Sequence, residues 1–186
     1  ERAAGAIMLA LAVILGYATV SPSLEQGALA AGDDAIHSAL TLETHRLMAT
    51  RGNFFDWSYL YGLGGPLFIF RPPGFYAAVQ GLHLASLETL PLMTAHKLAY
   101  VLGFMLFPAA VFYLLRKFRL SHIVCGVGAL LALTPISTFG HTIDAYYDLG
   151  LAKQLFAILL FPVALGKLHG IIARREHFFP GAVLFG

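Results

Sequence analysis

Residues 3–20 form an apolar run without one charged side chain. An α-helix rises ~1.5 Å per residue, so roughly 20 such residues match the ~30 Å hydrocarbon core of a bilayer. Further runs occupy residues 98–115, 120–139 and 149–166, and another begins at residue 178. His96 and Lys97 stand just before the second run; Lys153 and Gln154 interrupt the start of the fourth. The pattern predicts an all-α fold, a polytopic bundle of transmembrane helices. Composition agrees: 12% of residues are charged and 58% hydrophobic, where soluble domains carry about 25% charged residues. This excludes a disordered chain and argues against a water-soluble domain. The net charge of +2 is too small for nucleic-acid binding. The single cysteine, Cys125, excludes a disulfide scaffold. Residues 1–186 read as one incomplete transmembrane domain, with a C-terminal remainder expected beyond the last apolar run.

Residues 74–87 are apolar, but about 14 residues suit an interfacial helix better than a span. Arg116, Lys117 and Arg119 form one basic cluster and Lys167, Arg174 and Arg175 another. Basic clusters favour the cytoplasmic side. Both fall there if residues 74–87 do not cross, which places the N-terminus inside and residues 21–92 in a long outer loop. The expectation is a multi-pass protein of the inner (plasma) membrane, its first outer loop carrying interfacial helices.

A loop of that length is far beyond an ordinary connection and is functional when ordered. Asp33 or Asp34 can start a helix that Gly52 and Asn53 stop. Ile36, Ala39, Leu40, Leu47 and Met48 share an apolar stripe; Asp34, His37, Thr41 and His45 share another face. The helix is expected to lie on the membrane surface and present that polar face. Read blandly, the two acids are caps and His37 and His45 are solvated. Adjacent acids directly after a span, in an acid-poor chain, instead mark a candidate site.

Gly62, Gly64, Gly65 and Pro66 then break regular structure, and Pro72-Pro73 force an extended approach to a helix at Gly74. Trp57, Tyr59, Tyr61, Phe68, Phe70, Phe75 and Tyr76 surround this turn. They suit an interfacial aromatic belt or a stacking wall for a sugar or lipid headgroup, with the turn folding back toward Asp33 to close a cavity. Arg71 can grip a phosphate or snorkel to headgroups.

The order of these features resembles the GT-C superfamily of polytopic membrane glycosyltransferases. It is most similar to the bacterial membrane proteins described as 6-pyruvoyl-tetrahydropterin synthase-related. The matching residues are Asp33 and His37 after the first span, Trp57, then Gly65-Pro66-Leu67-Phe68 with Pro72-Pro73. Thr134-Pro135 and the stretch from Tyr147 to Gln154 occupy the later motif positions. The resemblance implies a GT-C-like bundle that moves a sugar from a polyprenyl-phosphate donor to an acceptor on the outer face. It implies Asp33 as general base with Asp34 as its neighbour and alternative; His37, Trp57 and Asp148 at motif positions, Tyr76 in the aromatic wall, and Arg71 and Lys153 as cations able to hold the phosphate are the candidate substrate-binding residues. The implied partners are the lipid bilayer and the lipid-linked donor, with no cofactor. This chain departs from the family by placing Arg71 where an aromatic precedes Pro-Pro, and by lacking an arginine near Asp148 and an acid near Lys153. Those departures define the alternative, a non-catalytic structural subunit that contacts other membrane subunits.

Other residues have plainer readings. His141, Asp144 and Asp148 with His37 are a conceivable divalent-metal set, but no tight ligand motif supports it. His83 is expected on the polar side of its helix, His169 near the basic inner end and Cys125 as a packing residue. Pro108, Pro135 and Pro162 interrupt spans, which neighbouring helices tolerate. A transporter would need charges inside its spans, and only Lys153 comes near to that.

The charge bias makes a direct prediction. In a Cys125→Ser background, Asp148→Cys should react with a membrane-impermeant maleimide applied outside, and Lys117→Cys should not. The opposite labelling pattern would refute this orientation.

Overall fold

A computed structural model of the chain describes residues 1–25, 27, 32–60, 64–68, 73–134 and 146–174. Its helices are α1 (Arg2–Val20), α2 (Pro22–Glu25), α3 (Asp34–Arg51), α4 (Gly74–Ala85), α5 (Leu92–Met105), α6 (Phe107–Lys117), α7 (His122–Leu131) and α8 (Ala152–Arg174). Two short strands, β1 (Trp57–Ser58) and β2 (Gly65–Pro66), pair antiparallel with Trp57 opposite Pro66.

Among the described residues, three stretches are long and apolar enough to cross a membrane: Arg2–Glu25, Leu92–Lys117 and Lys153–Ala173. The second is longer than the apolar run alone suggested. It starts after Pro91 and passes through Leu106, where α5 gives way to α6. Pro108 sits in the first turn of α6, where its missing N–H costs little. The run at 120–139 is represented by the short α7, whose Ser121 hydroxyl caps it by accepting the Val124 N–H. The run expected from residue 178 lies outside the described residues.

Both loop helices form where the sequence puts them. α3 ends at Gly52, whose φ of +69° allows its N–H to reach the Met48 carbonyl. α4 stops at Ala85, too short to span a bilayer.

α1 packs on α7 through small residues. A Cβ on Gly5 would lie 2.4 Å from the His122 carbonyl oxygen, and one on Gly126 would lie 2.8 Å from the Met8 Cβ. Ala12, seven residues after Gly5 and so on the same face of α1, is fully buried. Small side chains let two backbones approach closely where lipid supplies no hydrophobic drive. The other side of α1 exposes Ile7, Leu11, Ile14 and Leu15. Only 22% of the apolar window in α1–α2, and 22% of that in α8, is buried within the chain. These helices therefore turn most of their apolar surface outward, as lipid contact requires.

The buried core sits at one end. Leu40, Leu47, Phe75, Tyr76, Val79, Ala95, Tyr100, Phe104, Tyr146 and Leu155 belong to one cluster, contributed by α3, α4, α5, the turn before α8, and α8 itself. Two loops meet there: the Tyr146 and Ser23 hydroxyls are 2.6 Å apart, and the Tyr147 hydroxyl donates to the Thr19 carbonyl at 3.1 Å. Arg116 and Lys117 lie in the last turn of α6, at the opposite end, where Glu1 accepts the His122 N–H and the Phe118 and His169 rings are 4.5 Å apart.

The α1–α7 seam can be tested by overfilling it. Gly5→Leu meets a backbone carbonyl that cannot rotate away and should cost about 1–3 kcal/mol or more. Ile7→Val on the outward face should leave the unfolding midpoint in detergent nearly unchanged. Equal midpoints for the two variants would contradict the seam.

Candidate functional site

The site begins with a close crossing of two loops. Gly32 has a φ of +59°, and a Cβ there would lie 2.3 Å from the Leu149 carbonyl oxygen. Only glycine permits both the conformation and the approach. The following residue, Asp33, donates its N–H to that Leu149 carbonyl at 3.0 Å. Asp33 is the N-cap of α3, but its side chain makes no capping bond and stays exposed. Its carboxylate is therefore available to a ligand.

Past Leu149, Gly150 turns the chain with a φ of +63° into α8. The start of α8 packs on α4 through Phe156, whose ring would lie 3.7 Å from a Cβ on Gly74 and is centred 6.2 Å from the Phe75 ring. This brings the first turn of α8 beside the first turn of α3. Asp33, His37, Leu151, Lys153, Gln154 and Ala157 line an open cleft of about 340 Å³ between them.

His37 forms the inner wall of the cleft. Its Nδ1 is 2.7 Å from the Tyr76 hydroxyl. Tyr76 is fully buried and held by the rings of Phe68 and Phe75, 5.2 and 5.5 Å away. Burial first, and then the charge of Lys153, lower the His37 pKa to about 4, against opposing contributions from Asp33 and Asp34. The imidazole is neutral at pH 7.

Asp34 goes elsewhere. Its Oδ1 is 3.2 Å from Nε2 of His96 on α5, and Nδ1 of His96 is 2.8 Å from the Thr41 hydroxyl. Asp34, Thr41 and His96 are all buried. Gln80 on α4 donates to the Thr41 carbonyl at 3.3 Å and places its own carbonyl 3.2 Å from Nδ1 of His45. The His45 and His83 rings meet at 5.1 Å, and His83 donates through Nδ1 to the Leu90 carbonyl at 2.7 Å.

These contacts correct the expected orientation of α3. Its polar face turns inward: Asp34, His37, Thr41 and Thr44 are buried together with Leu40 and Leu47, while Ile36 and Leu42 remain 39% and 54% exposed. α4 and α5 present polar side chains to it, so the hydrogen bonds of the stripe are made inside the protein. His83, too, is buried rather than placed on a wet face.

Of the residues singled out from sequence, Asp33, His37 and Lys153 share the cleft. Asp148 is exposed and is not among the residues that line the cleft; its carbonyl oxygen would meet a Cβ on Gly32 at 2.9 Å. Asp34 lies behind the cleft on His96, and Tyr76 behind it on His37. Trp57 stands on β1, 44% exposed, beside Tyr59 at 6.4 Å, and is not among the lining residues. Arg71, Pro72, Gly62, His141 and Asp144 lie outside the described residues, so of the expected 62–73 wall only residues 64–68 and 73 are described. There, Phe68 packs against Tyr76.

Sequence reasoning gave no role to His96, Gln80 or Gln154. His96 had one usable signal, a titratable residue at the mouth of an apolar run; Gln154 stood out only as a polar interruption. Among the described residues, no group of three or more His, Cys, Asp or Glu side chains is placed to hold a metal ion. Comparison with protein-family models, with curated proteins and with solved structures finds no match.

The two acids should separate cleanly in a stability measurement. His96→Leu leaves the Asp34 carboxylate and the Thr41 hydroxyl buried without their partner, a loss of about 3–5 kcal/mol. Asp33→Asn changes an exposed side chain and should stay within about 0.5 kcal/mol of the parent. Thermal unfolding of the detergent-solubilised protein reads both, and comparable losses would overturn the division of roles.

Proposed function

We propose that the chain is a membrane glycosyltransferase of GT-C type that works at the Asp33 cleft. It takes a sugar from a polyprenyl-phosphate donor and passes it to an acceptor hydroxyl on the outer face of the membrane. The observation that carries this reading is the convergence of Asp33 and His37, from the first loop, with Lys153 and Gln154, from the start of α8, on one open cleft.

The chemistry follows from what each group can do. As the acceptor oxygen attacks the anomeric carbon, its proton passes to the Asp33 carboxylate, which is exposed and uncommitted to helix capping. The bond between the anomeric carbon and the phosphate oxygen breaks, and its electron pair leaves on the lipid phosphate. Lys153, in the first turn of the long helix α8, stands where its charge and the helix N-terminus favour that phosphate. A phosphate leaves readily, so no second carboxylate is needed as acid. The lipid-exposed faces of α1 and α8 suit a substrate that arrives from within the bilayer.

Loss of the base removes proton transfer. Asp33→Asn should lower sugar transfer by about 10²–10⁴-fold with folding and insertion intact, measured with labelled polyprenyl-phosphate sugars in proteoliposomes. Parent-like activity in Asp33→Asn would refute the base assignment. Absence of turnover by the parent with every donor tried would favour the non-catalytic subunit instead.

A further inference from the structure

We infer that Tyr76 is a positioning residue for this cleft: its hydroxyl donates to Nδ1 of His37, which holds the imidazole as the Nε2–H tautomer and aims that N–H at the ligand oxygens beside Asp33. The inference rests on reading the cleft as a ligand site, but its central claim concerns a proton that can be located without any ligand.

Tyr76 cannot touch a ligand itself, because it is fully buried. Its ring packs against those of Phe68 and Phe75, and its hydroxyl lies 2.7 Å from Nδ1 of His37. The two nitrogens lie on opposite sides of the imidazole. With Nδ1 turned inward to Tyr76, Nε2 is the nitrogen within reach of the cleft. A neutral imidazole has one N–H and one lone pair, and the partner of one nitrogen sets the state of the other.

The surroundings choose between the two tautomers. Asp33 lines the same cleft, and an N–H facing that carboxylate is attracted where a lone pair would be repelled. The N–H therefore belongs on Nε2, and Tyr76 supplies the proton for the Nδ1 bond. A neutral donor also suits a place beside Lys153, because a second cation there would meet like-charge repulsion. The ligand this donor fits is an oxygen acceptor, a phosphate or sugar oxygen, held by Lys153 as the charge and by His37 as the directional hydrogen bond.

The test uses the intact protein in nanodiscs with ¹⁵N-labelled histidine, the His37 signals being identified by their loss in His37→Gln. Between pH 5.5 and 8 the parent should show His37 as a neutral Nε2–H tautomer. Tyr76→Phe, which keeps the packed ring, should give a tautomer mixture. An Nδ1–H tautomer in the parent, or a Tyr76→Phe spectrum unchanged from it, overturns the inference. Binding of a short-chain polyprenyl phosphate adds a second readout. Tyr76→Phe should weaken it roughly tenfold, as expected for one lost hydrogen bond, and should cost nothing more in a His37→Gln background. Additive losses would show that Tyr76 acts on its own and would also overturn the inference. If the parent does not bind this lipid, the proposed donor fails, and the tautomer measurement still decides the role of Tyr76.

Discussion

The architecture at the Asp33 end depends on how α3 buries its polar stripe. A helix placed against apolar neighbours with Asp34, His37, Thr41 and Thr44 inward would leave several polar groups unpaired, each costing about 1–3 kcal/mol. Here α5 supplies His96 to Asp34 and Thr41, and α4 supplies Tyr76 to His37 and Gln80 to the Thr41 carbonyl. Satisfied networks of this kind fix one relative placement of their helices, because a slip by a turn would break several bonds together. The apolar residues Leu40 and Leu47 are buried on the same side, so hydrophobic burial and hydrogen bonding act on one interface.

That placement sets the cleft. With α3 pinned to α4 and α5, its first turn can meet α8 in only one place, and the Gly32–Leu149 crossing fixes how close the two come. One helix start contributes a carboxylate and a neutral imidazole, the other a lysine and an amide. The two acids, adjacent in sequence, are thereby given different work. Asp33 faces the opening, whereas Asp34 is consumed by His96 and belongs to the scaffold. His37 owes its neutrality mainly to burial, with Lys153 adding to the effect.

The apolar helices follow different physics. Their outward faces carry large aliphatic side chains that no other part of the described chain covers, and the contact of α1 with α7 relies on Gly5 and Gly126. In lipid there is little gain in burying one aliphatic side chain against another, so close backbone approach is what remains to hold α1 on α7. The polar network and the small-residue seam thus hold opposite ends of the same bundle.

The sequence by itself determined the helical class, the presence of long apolar helices and the places of the two loop helices, Asp34–Arg51 and Gly74–Ala85. Those features rest on local physics: unbroken apolar length, and the conformations open to Gly52, Pro73 and Gly74. It also pointed to Asp33, His37 and Lys153 as residues of interest, because charged or titratable groups are rare in such a chain. The direction in which α3 faces was not legible there. An amphipathic pattern says that two faces differ, not which one the neighbours can satisfy, and that depended on Gln80 and His96 arriving from α4 and α5. Nor does spacing along the chain distinguish Asp33 from Asp34, since a rotation of one residue about the helix axis decides which acid meets His96. Only the packed structure, in which Gly32 locks against Leu149 and Tyr76 stands behind His37, made that choice.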